Sequence, residues 1–336
     1  MQTTREVDSG VEVLEIEARV LSIQSHVVAG YVGNRSAVFP LQLLGIETDA
    51  INTCQFSNHT GYPSWEGERL TGEQLSRLME VASLLFRGME RNGLAGHTHI
   101  LTGYAGRADL LHALERVVQT TTRHRPDAVY LCDPVMGDNG KLYVAEEVVG
   151  IYADVLVPLA HIVTPNHFEA ELLAGMKITN ETEAVEAMEK LHSKGVRAVV
   201  ITSTDLYGVP GELALLASHK LAHADGGPAR RFRIRMPALE GYFTGTGDLF
   251  AALLLAWHIR HPDDFVLACE KAVCGTHAVL RETIQYYARR AAAAAAGGSS
   301  TAVAPEKAGT YPELKIIPSK GLIEHPPLLF RAEDIK

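Results

Sequence analysis

What most constrains the fold of this 336-residue chain is a regular exchange between short apolar, strand-like runs and longer stretches with helical period. It begins at Arg19, where Val-Leu-Ser-Ile-Gln is strand-like and residues 25–34 turn into a helix ending near Gly45. A second strand at 46–52 leads into residues 55–62, polar and aromatic and too irregular for either period, which places them on a loop over a pocket. The pattern then gives a helix over 71–91, a strand at 99–102, a helix over 107–122, and short strands at 128–133 and 162–164. A helix at 181–193 and a strand at 198–201 come next, then antiparallel strands over 212–235 around the loop Asp225-Gly-Gly-Pro228, and helices at 248–260 and 263–288. Such alternation over about 270 residues predicts one doubly wound α/β domain with a mainly parallel sheet and helices on both faces. A hydrophobic content of 46% suffices for its core.

That domain is expected over residues 18–290, flanked by a flexible arm of mixed charge at 1–17. Six alanines and Gly-Gly-Ser-Ser open a low-complexity insert at 291–310, and residues 311–336 recover enough apolar character to pack back on the body. No internal repeat is found. A formal net charge of −9 argues against non-specific binding to nucleic acid or anionic membrane, both of which need a basic surface. The four cysteines, Cys54, Cys132, Cys269 and Cys274, show no Cys-x-x-Cys spacing and read as reduced thiols. With no signal-like or transit-like N-terminus and no apolar run of spanning length, a cytoplasmic protein is expected.

The chemistry concentrates in Glu240-Gly-Tyr-Phe-Thr-Gly-Thr-Gly-Asp-Leu-Phe250. Gly245 and Gly247 flank Thr246, Asp248 comes directly after, and an apolar helix starts at once. Glycines let successive N–H groups face one concavity, and the helix N-terminus adds partial positive charge, so an anion such as a phosphate belongs there. Asp248 stands beside it as a candidate base, expected to have a lowered pKa because the helix dipole favours its charged form. The plain alternative is a helix cap with glycines that merely turn the chain. A P-loop, a Gly-x-Gly-x-x-Gly after a strand, His-Glu-x-x-His and Gly-x-Ser-x-Gly are all missing from the sequence.

Asp133 and Asp138 come after one strand and Glu169 after another, which puts three acids at one sheet edge, where they repel unless cations bind among them. Oxygen-rich ligation suits Mg²⁺ held largely through nucleotide phosphates, with a monovalent ion beside it. A turn residue before Pro134 and a helix N-terminal charge explain the same acids without a ligand. The loop from Gly137 to Tyr143 is either a lid over phosphates or a plain surface turn.

Taken together, Ser22-Ile-Gln-Ser-His26, Gly30-Tyr-Val-Gly-Asn34, Gln55-Phe-Ser-Asn-His-Thr-Gly-Tyr62, Leu101-Thr-Gly-Tyr104, Cys132-Asp-Pro-Val135, Thr164-Pro-Asn166, Phe168-Glu-Ala-Glu-Leu-Leu173, Val200-Ile-Thr-Ser203 and Gly245-Thr-Gly-Asp-Leu-Phe-Ala-Ala252 resemble the pyridoxal kinases, a branch of the ribokinase-like family. The glycine-aspartate motif belongs to the wider family, whereas residues 55–62 are specific to the pyridoxal branch. The resemblance implies a ribokinase-like fold and ATP-dependent phosphorylation of the 5′-hydroxyl of pyridoxal, and by extension of pyridoxine and pyridoxamine. It implies Asp248 as base with Gly245, Thr246 and Gly247 as anion hole, and Ser25, Thr60 and Tyr104 around the pyridine ring. It further implies Asp138 for Mg²⁺, Asp133 and Thr164 for a monovalent cation such as K⁺ or Na⁺, and Asn166, Glu169, Thr202, Ser203 and the lid residue Tyr143 around ATP. The family also implies a homodimer. The lid reads as shorter than in animal relatives, and the insert at 291–309 has no counterpart. Two other functions compete: a hydroxymethylpyrimidine or other ribokinase-like kinase, and a non-catalytic carrier of B6 vitamers.

Overall fold

The computed structural model describes residues 2–6, 12–68, 88–89, 91–94, 96–220, 229–295 and 312–335. The helix expected over 71–91 and the loop at 225–228 lie outside the described residues, almost wholly and wholly, as does most of the low-complexity insert.

Strands run in chain order as β1 (Gln2–Glu6), β2 (Glu12–Ile16), β3 (Arg19–Val27), β4 (Glu47–Phe56), β5 (Gly67–Glu68), β6 (His99–Thr102), β7 (Val129–Cys132), β8 (Gly137–Asp138), β9 (Lys141–Leu142), β10 (Ile162–Val163), β11 (Ala198–Thr204), β12 (Glu212–His219), β13 (Arg230–Pro237) and β14 (Ala332–Asp334). The described helices are α1 (Asn34–Leu43), α2 (Ala108–His124), α3 (Glu146–Ile151), α4 (His167–Ala174), α5 (Glu181–Ser193), α6 (Thr246–Arg260), α7 (Phe265–Ala295) and α8 (Lys320–Glu324). Where the sequence suggests a frayed arm, β1 and β2 pair antiparallel as a small sheet of their own. Both runs are rich in residue types of high strand propensity, Thr-Thr in one and Val-Leu-Glu-Ile in the other.

The remaining strands form a ten-stranded sheet in the order β14-β13-β12-β11-β10-β7-β6-β3-β4-β5, with β8 and β9 a separate hairpin. From β4 to β11 the strands are parallel, and β12, β13, β14 and β5 add antiparallel edges. The chain leaves β3 for β4 on one side and returns to β6 on the other, which makes the carboxyl ends of β3 and β6 the point where winding direction reverses. Every parallel strand therefore delivers its next loop to one edge.

Period-two alternation divides the core between the sheet's faces. Val20, Leu101, Leu131, Ile162 and Leu215 pack with α1, α6 and α7 on one face. Leu21, Ile100, Tyr130, Val163 and Leu216 pack with α2, α3, α4 and α5 on the other. Helix α6 is unusual in burying nine consecutive residues, from Leu249 to Trp257. It has no solvent face because it lies against α1, α7 and β6 at once, which is what an apolar surface all round requires. The Lys271 Nζ, 4.0 Å from the Trp257 ring centroid, closes its far end.

The C-terminal residues pack on this body: Leu314, Ile316 and Ile323 are fully buried, and β14 pairs with β13. Glu270 on α7 accepts from Arg331 Nη1 at 2.7 Å and from the Ala332 N–H at 2.9 Å. All four cysteines are free thiols. Among the described residues, no helix is long and apolar enough to cross a membrane.

Because α6 carries the glycine-aspartate motif at the head of a rod whose next nine residues are all buried, its packing fixes where the motif stands. Leu253→Ala should cost about 2–5 kcal/mol of unfolding free energy in a denaturant titration. A loss under about 1 kcal/mol would mean that α6 is not the wedge described.

Candidate active site

The motif glycines are dictated by geometry. Gly245 caps α6 in the left-handed region at φ 84, and a Cβ there would overlap the Tyr31 carbonyl oxygen. No side chain caps this end, so the first amides of α6, at Thr246, Gly247 and Asp248, have no intrahelical acceptor, the arrangement from which helix starts bind anions. The Thr246 hydroxyl donates back to the Phe243 carbonyl at 3.4 Å.

Asp248 is held from the other side of the cleft: the Gly33 N–H donates to its Oδ2 at 2.8 Å. Gly33 has φ 54 and rests on Ser25, whose backbone carbonyl a Cβ would strike. The turn that carries it is fixed by Asn34, a buried residue whose Oδ1 accepts from Ser22 Oγ at 2.8 Å and whose Nδ2 donates to the Ile51 carbonyl at 3.0 Å and Asn52 Oδ1 at 2.8 Å. Ser25, Gly33 and Asp248 thus form one continuous wall. The expectation of a lowered pKa for Asp248 is overturned. Burial of the carboxylate pushes it up, and the Gly33 amide offsets only part of that. Desolvation dominates because the carboxylate is packed between two elements.

Ser25 also marks a register shift between β3 and β4, after which His26 and Val27 pair with Gln55 and Phe56. This shift explains why 55–56, expected as loop, are the end of β4: the bulge breaks the alternation that would have revealed them. The loop proper starts at Ser57 and carries Thr60, exposed, between buried His59 and Tyr62. Thr102 pairs with Ile23, so Tyr104, two residues on, leaves β6 beside Ser25. Its carbonyl accepts from Thr53 Oγ1 at 3.4 Å, and its hydroxyl packs over Gly106.

Across the same edge lie the acids. Asp133 Oδ1 accepts from Thr164 Oγ1 at 3.1 Å, while its Oδ2 is buried without a hydrogen-bond partner and faces Gly247. Burial, then repulsion from Glu169 and Asp248, raises its pKa well above the ordinary carboxylate range. Glu169 is differently placed. Its Oε1 accepts from the Met136 and Gly137 amides at 2.8 and 3.3 Å, and its Oε2 from the Asn166 amide at 2.9 Å. With Asn166 Oδ1 accepting from the Glu169 amide at 2.9 Å, the pair closes a capping box on α4. Asn166 Nδ2 also donates to the Gly137 carbonyl at 2.7 Å. Both side chains are therefore committed to fixing the start of the β8–β9 hairpin.

That hairpin is the expected lid. Asn139 and Gly140, with φ 50 and 75, give it a two-residue loop with positive φ at both positions. Asp138 accepts from the Asn139 amide at 2.8 Å, and Tyr143, half exposed, stands near Tyr242 of the segment ahead of α6. Thr202 and Ser203 lie where β11 shifts register against β12, and the Thr202 N–H donates to the Pro165 carbonyl at 2.9 Å. Among the described residues no three His, Cys, Asp or Glu side chains converge as a metal cage. A single orphaned oxygen on Asp133 suits a cation that takes its other ligands from elsewhere.

Two contributors escape a reading by motif alone. The Gly33 amide belongs to the Gly30–Asn34 segment, but its partner lies 215 residues away. Glu313, near the chain's end, takes the Tyr31 N–H at 2.9 Å and the Tyr62 hydroxyl at 2.9 Å, and no local pattern announces it.

Known proteins match along the whole architecture. The family model described as phosphomethylpyrimidine kinase matches residues 99–292. Pyridoxal kinase of Bos taurus is 44% identical over 326 residues, which is 95% of this chain and 99% of the relative. Pyridoxal kinase of Arabidopsis thaliana is 49% identical over 271 residues, 81% of this chain and 84% of the relative. Among solved structures, pyridoxal kinase from Leishmania donovani in complex with ADP and pyridoxamine superposes with a TM-score of 0.79 at 34% identity, covering 95% of this chain and 99% of that one.

The raised pKa of Glu169 has a measurable sign. Burial lifts it from 4.5 to about 7, so between those values the folded chain keeps a proton that the unfolded chain has released. Its contribution to stability is then largest below about pH 4.5 and falls as pH rises to about 7. Glu169→Gln should flatten the fall in Tm across that window; an unchanged slope contradicts the assignment.

Proposed function

The chain belongs to the pyridoxal kinase family, and from that premise we propose that it transfers the γ-phosphoryl group of ATP to the 5′-hydroxyl of pyridoxal, and also of pyridoxine and pyridoxamine. The observation that carries the reading is the Gly33–Asp248 hydrogen bond, which joins the wall built by Ser25 to the amide turn of α6. The span matched by the phosphomethylpyrimidine kinase model starts at residue 99 and so holds the phosphate-binding half, while Ser25 and Thr60 lie before it. Those positions are covered by the near full-length pyridoxal kinase relatives, which favours a pyridine acceptor over a pyrimidine one.

In this mechanism Ser25, Thr60 and Tyr104 hold the vitamer's ring, and Asp248, anchored through Oδ2, presents its other oxygen to the 5′-hydroxyl. As the hydroxyl oxygen bonds to the γ-phosphorus, the bond to the bridging oxygen of ATP breaks, ADP leaves, and the proton passes to Asp248. The raised pKa makes this carboxylate a stronger base than one capping an exposed helix. The Thr246, Gly247 and Asp248 amides, with Gly245 forming the turn, hold the transferred phosphoryl oxygens without needing to reorganise. Asn166 and Glu169 serve the nucleotide by fixing the hairpin that carries Asp138 and leads to Tyr143, and Thr202 and Ser203, near the end of β11, complete the nucleotide side.

The oxygen donors fit cations. Asp138 would hold Mg²⁺ together with the nucleotide phosphates, and Asp133 with Thr164 a monovalent ion such as K⁺ or Na⁺. When bound, these ions offset phosphate charge. The family reading also carries a homodimer acting in the cytoplasm, with which the free thiols agree.

An assay with ATP, Mg²⁺ and a panel of B6 vitamers, nucleosides and pyrimidines tests the assignment: turnover confined to the vitamers is expected, and turnover of hydroxymethylpyrimidine alone overturns it. Asp248→Ala should lower kcat by about 100-fold or more with vitamer affinity nearly unchanged. Thr60→Ala should instead weaken vitamer binding by about 1 kcal/mol, as for one lost hydrogen bond.

A further inference from the structure

Two loops wall the acceptor side of the site, one after β3 and one after β4, and neither is braced by the sheet beyond its first residues. The Val28 and Ala29 amides reach the Phe56 and Ser57 carbonyls at 2.8 and 2.9 Å, and there the ladder between the loops stops. Beyond that point both loops converge on a single carboxylate. Glu313 Oε2 accepts from the Tyr31 N–H at 2.9 Å, and Oε1 accepts from the Tyr62 hydroxyl at 2.9 Å. His59 Nε2 stands 3.4 Å from the same Oε1. His59 Nδ1 accepts from the Gly61 amide at 3.2 Å, which leaves the proton on Nε2, facing the carboxylate. The His59 and Tyr62 rings pack at 4.5 Å between centroids, so the carboxylate engages the loop after β4 through a pair of packed rings.

The carboxylate is aimed there by its own segment. Leu314 and Ile316 point into the core, which turns Glu313 and Lys315 the opposite way. The Glu313 amide donates to the Tyr287 hydroxyl at 3.1 Å and the Lys315 amide to Thr283 Oγ1 at 3.0 Å, both on α7. Lys315 Nζ lies 4.3 Å and 4.9 Å from the Tyr286 and Tyr287 ring centroids. These contacts tie the segment to the body without any help from the Glu313 side chain. Anchorage of the C-terminus therefore does not account for the carboxylate's three partners. Each of them belongs to an acceptor-side loop, and the Tyr31 residue it holds is the one whose carbonyl abuts Gly245 at the start of α6.

We propose that Glu313 is a positioning residue for the acceptor: it holds the loops at 30–31 and 59–62 in the spacing that places Ser25, Thr60 and Asp248 around the vitamer. This assignment rests on the vitamer-kinase reading. It makes the C-terminal segment part of the acceptor pocket, though that segment lies 251 and 282 residues from the groups it fixes. The nucleotide side, built on Asp133, Asn166 and the β8–β9 hairpin, shares no hydrogen bond with Glu313 among the described residues.

Steady-state kinetics on Glu313→Gln in the full chain test this. The variant keeps the side chain's shape while an amide NH₂ replaces one accepting oxygen, so either the Tyr31 N–H or the Tyr62 hydroxyl loses its acceptor. The expected result is a rise in KM for pyridoxal of about tenfold, with KM for ATP within about twofold of wild type and kcat lowered less than about threefold. Tyr62→Phe, which deletes a single hydroxyl, should move pyridoxal KM in the same direction by a smaller factor. An unchanged pyridoxal KM in Glu313→Gln overturns the proposal. So does a parallel change in both KM values and kcat alongside a lowered Tm, which is what a merely structural role gives. Absence of vitamer turnover by the wild-type chain would instead defeat the functional reading, and this proposal with it.

Discussion

The site depends most on one hydrogen bond, between the turn after β3 and the start of α6. The Gly33 amide, at the turn after β3, meets the carboxylate of Asp248, in the first turn of α6. Each group is where it is for reasons of packing. Gly33 must be glycine because it sits at positive φ against the Ser25 carbonyl, and Asn34 locks the turn by bonding to β3 and β4 at once. Asp248 is fixed because the helix that it opens is buried on every side. The bond therefore closes a rigid frame at the start of α6, and on the proposed reading that frame is the preorganisation that phosphoryl transfer asks of a protein.

The electrostatics of the edge come from the same packing. Asp133, Glu169 and Asp248 are brought together by three elements, and burial pushes the pKa of all three up, with repulsion from neighbouring acids adding to it at Asp133 and Glu169. Glu169 is compensated by three backbone amides, Asp248 by one, and Asp133 by a threonine hydroxyl with one oxygen left over. The least compensated acid is the one that faces Gly247 at the start of α6. Cations bound among these acids would relieve the repulsion built into this edge.

The sheet is legible in the sequence because its strands are short, apolar and regularly spaced, and because each parallel strand needs a helix to return the chain. Legibility fails where geometry departs from period. The register shift at Ser25 hides the last residues of β4, and a two-residue hairpin at Asn139-Gly140 looks like loop because each of its strands is two residues long. The motif residues can be placed at the site edge, since strand ends and helix starts fix them. The pKa of Asp248 cannot be read that way, because it depends on how tightly a distant turn closes over it. Glu313 is invisible for the same reason: its partners are neighbours in space alone.

The central claim is that the hydroxyl acceptor and the phosphoryl group meet at Asp248. A crystal structure with ADP, Mg²⁺ and pyridoxal tests it most directly. The account predicts the pyridoxal 5′-oxygen within hydrogen-bonding distance of the Asp248 carboxylate, about 2.6–3.2 Å, with the β-phosphate directed at the amides of Thr246 to Asp248. A 5′-oxygen more than about 5 Å from Asp248, or a phosphate seated away from the start of α6, would contradict it.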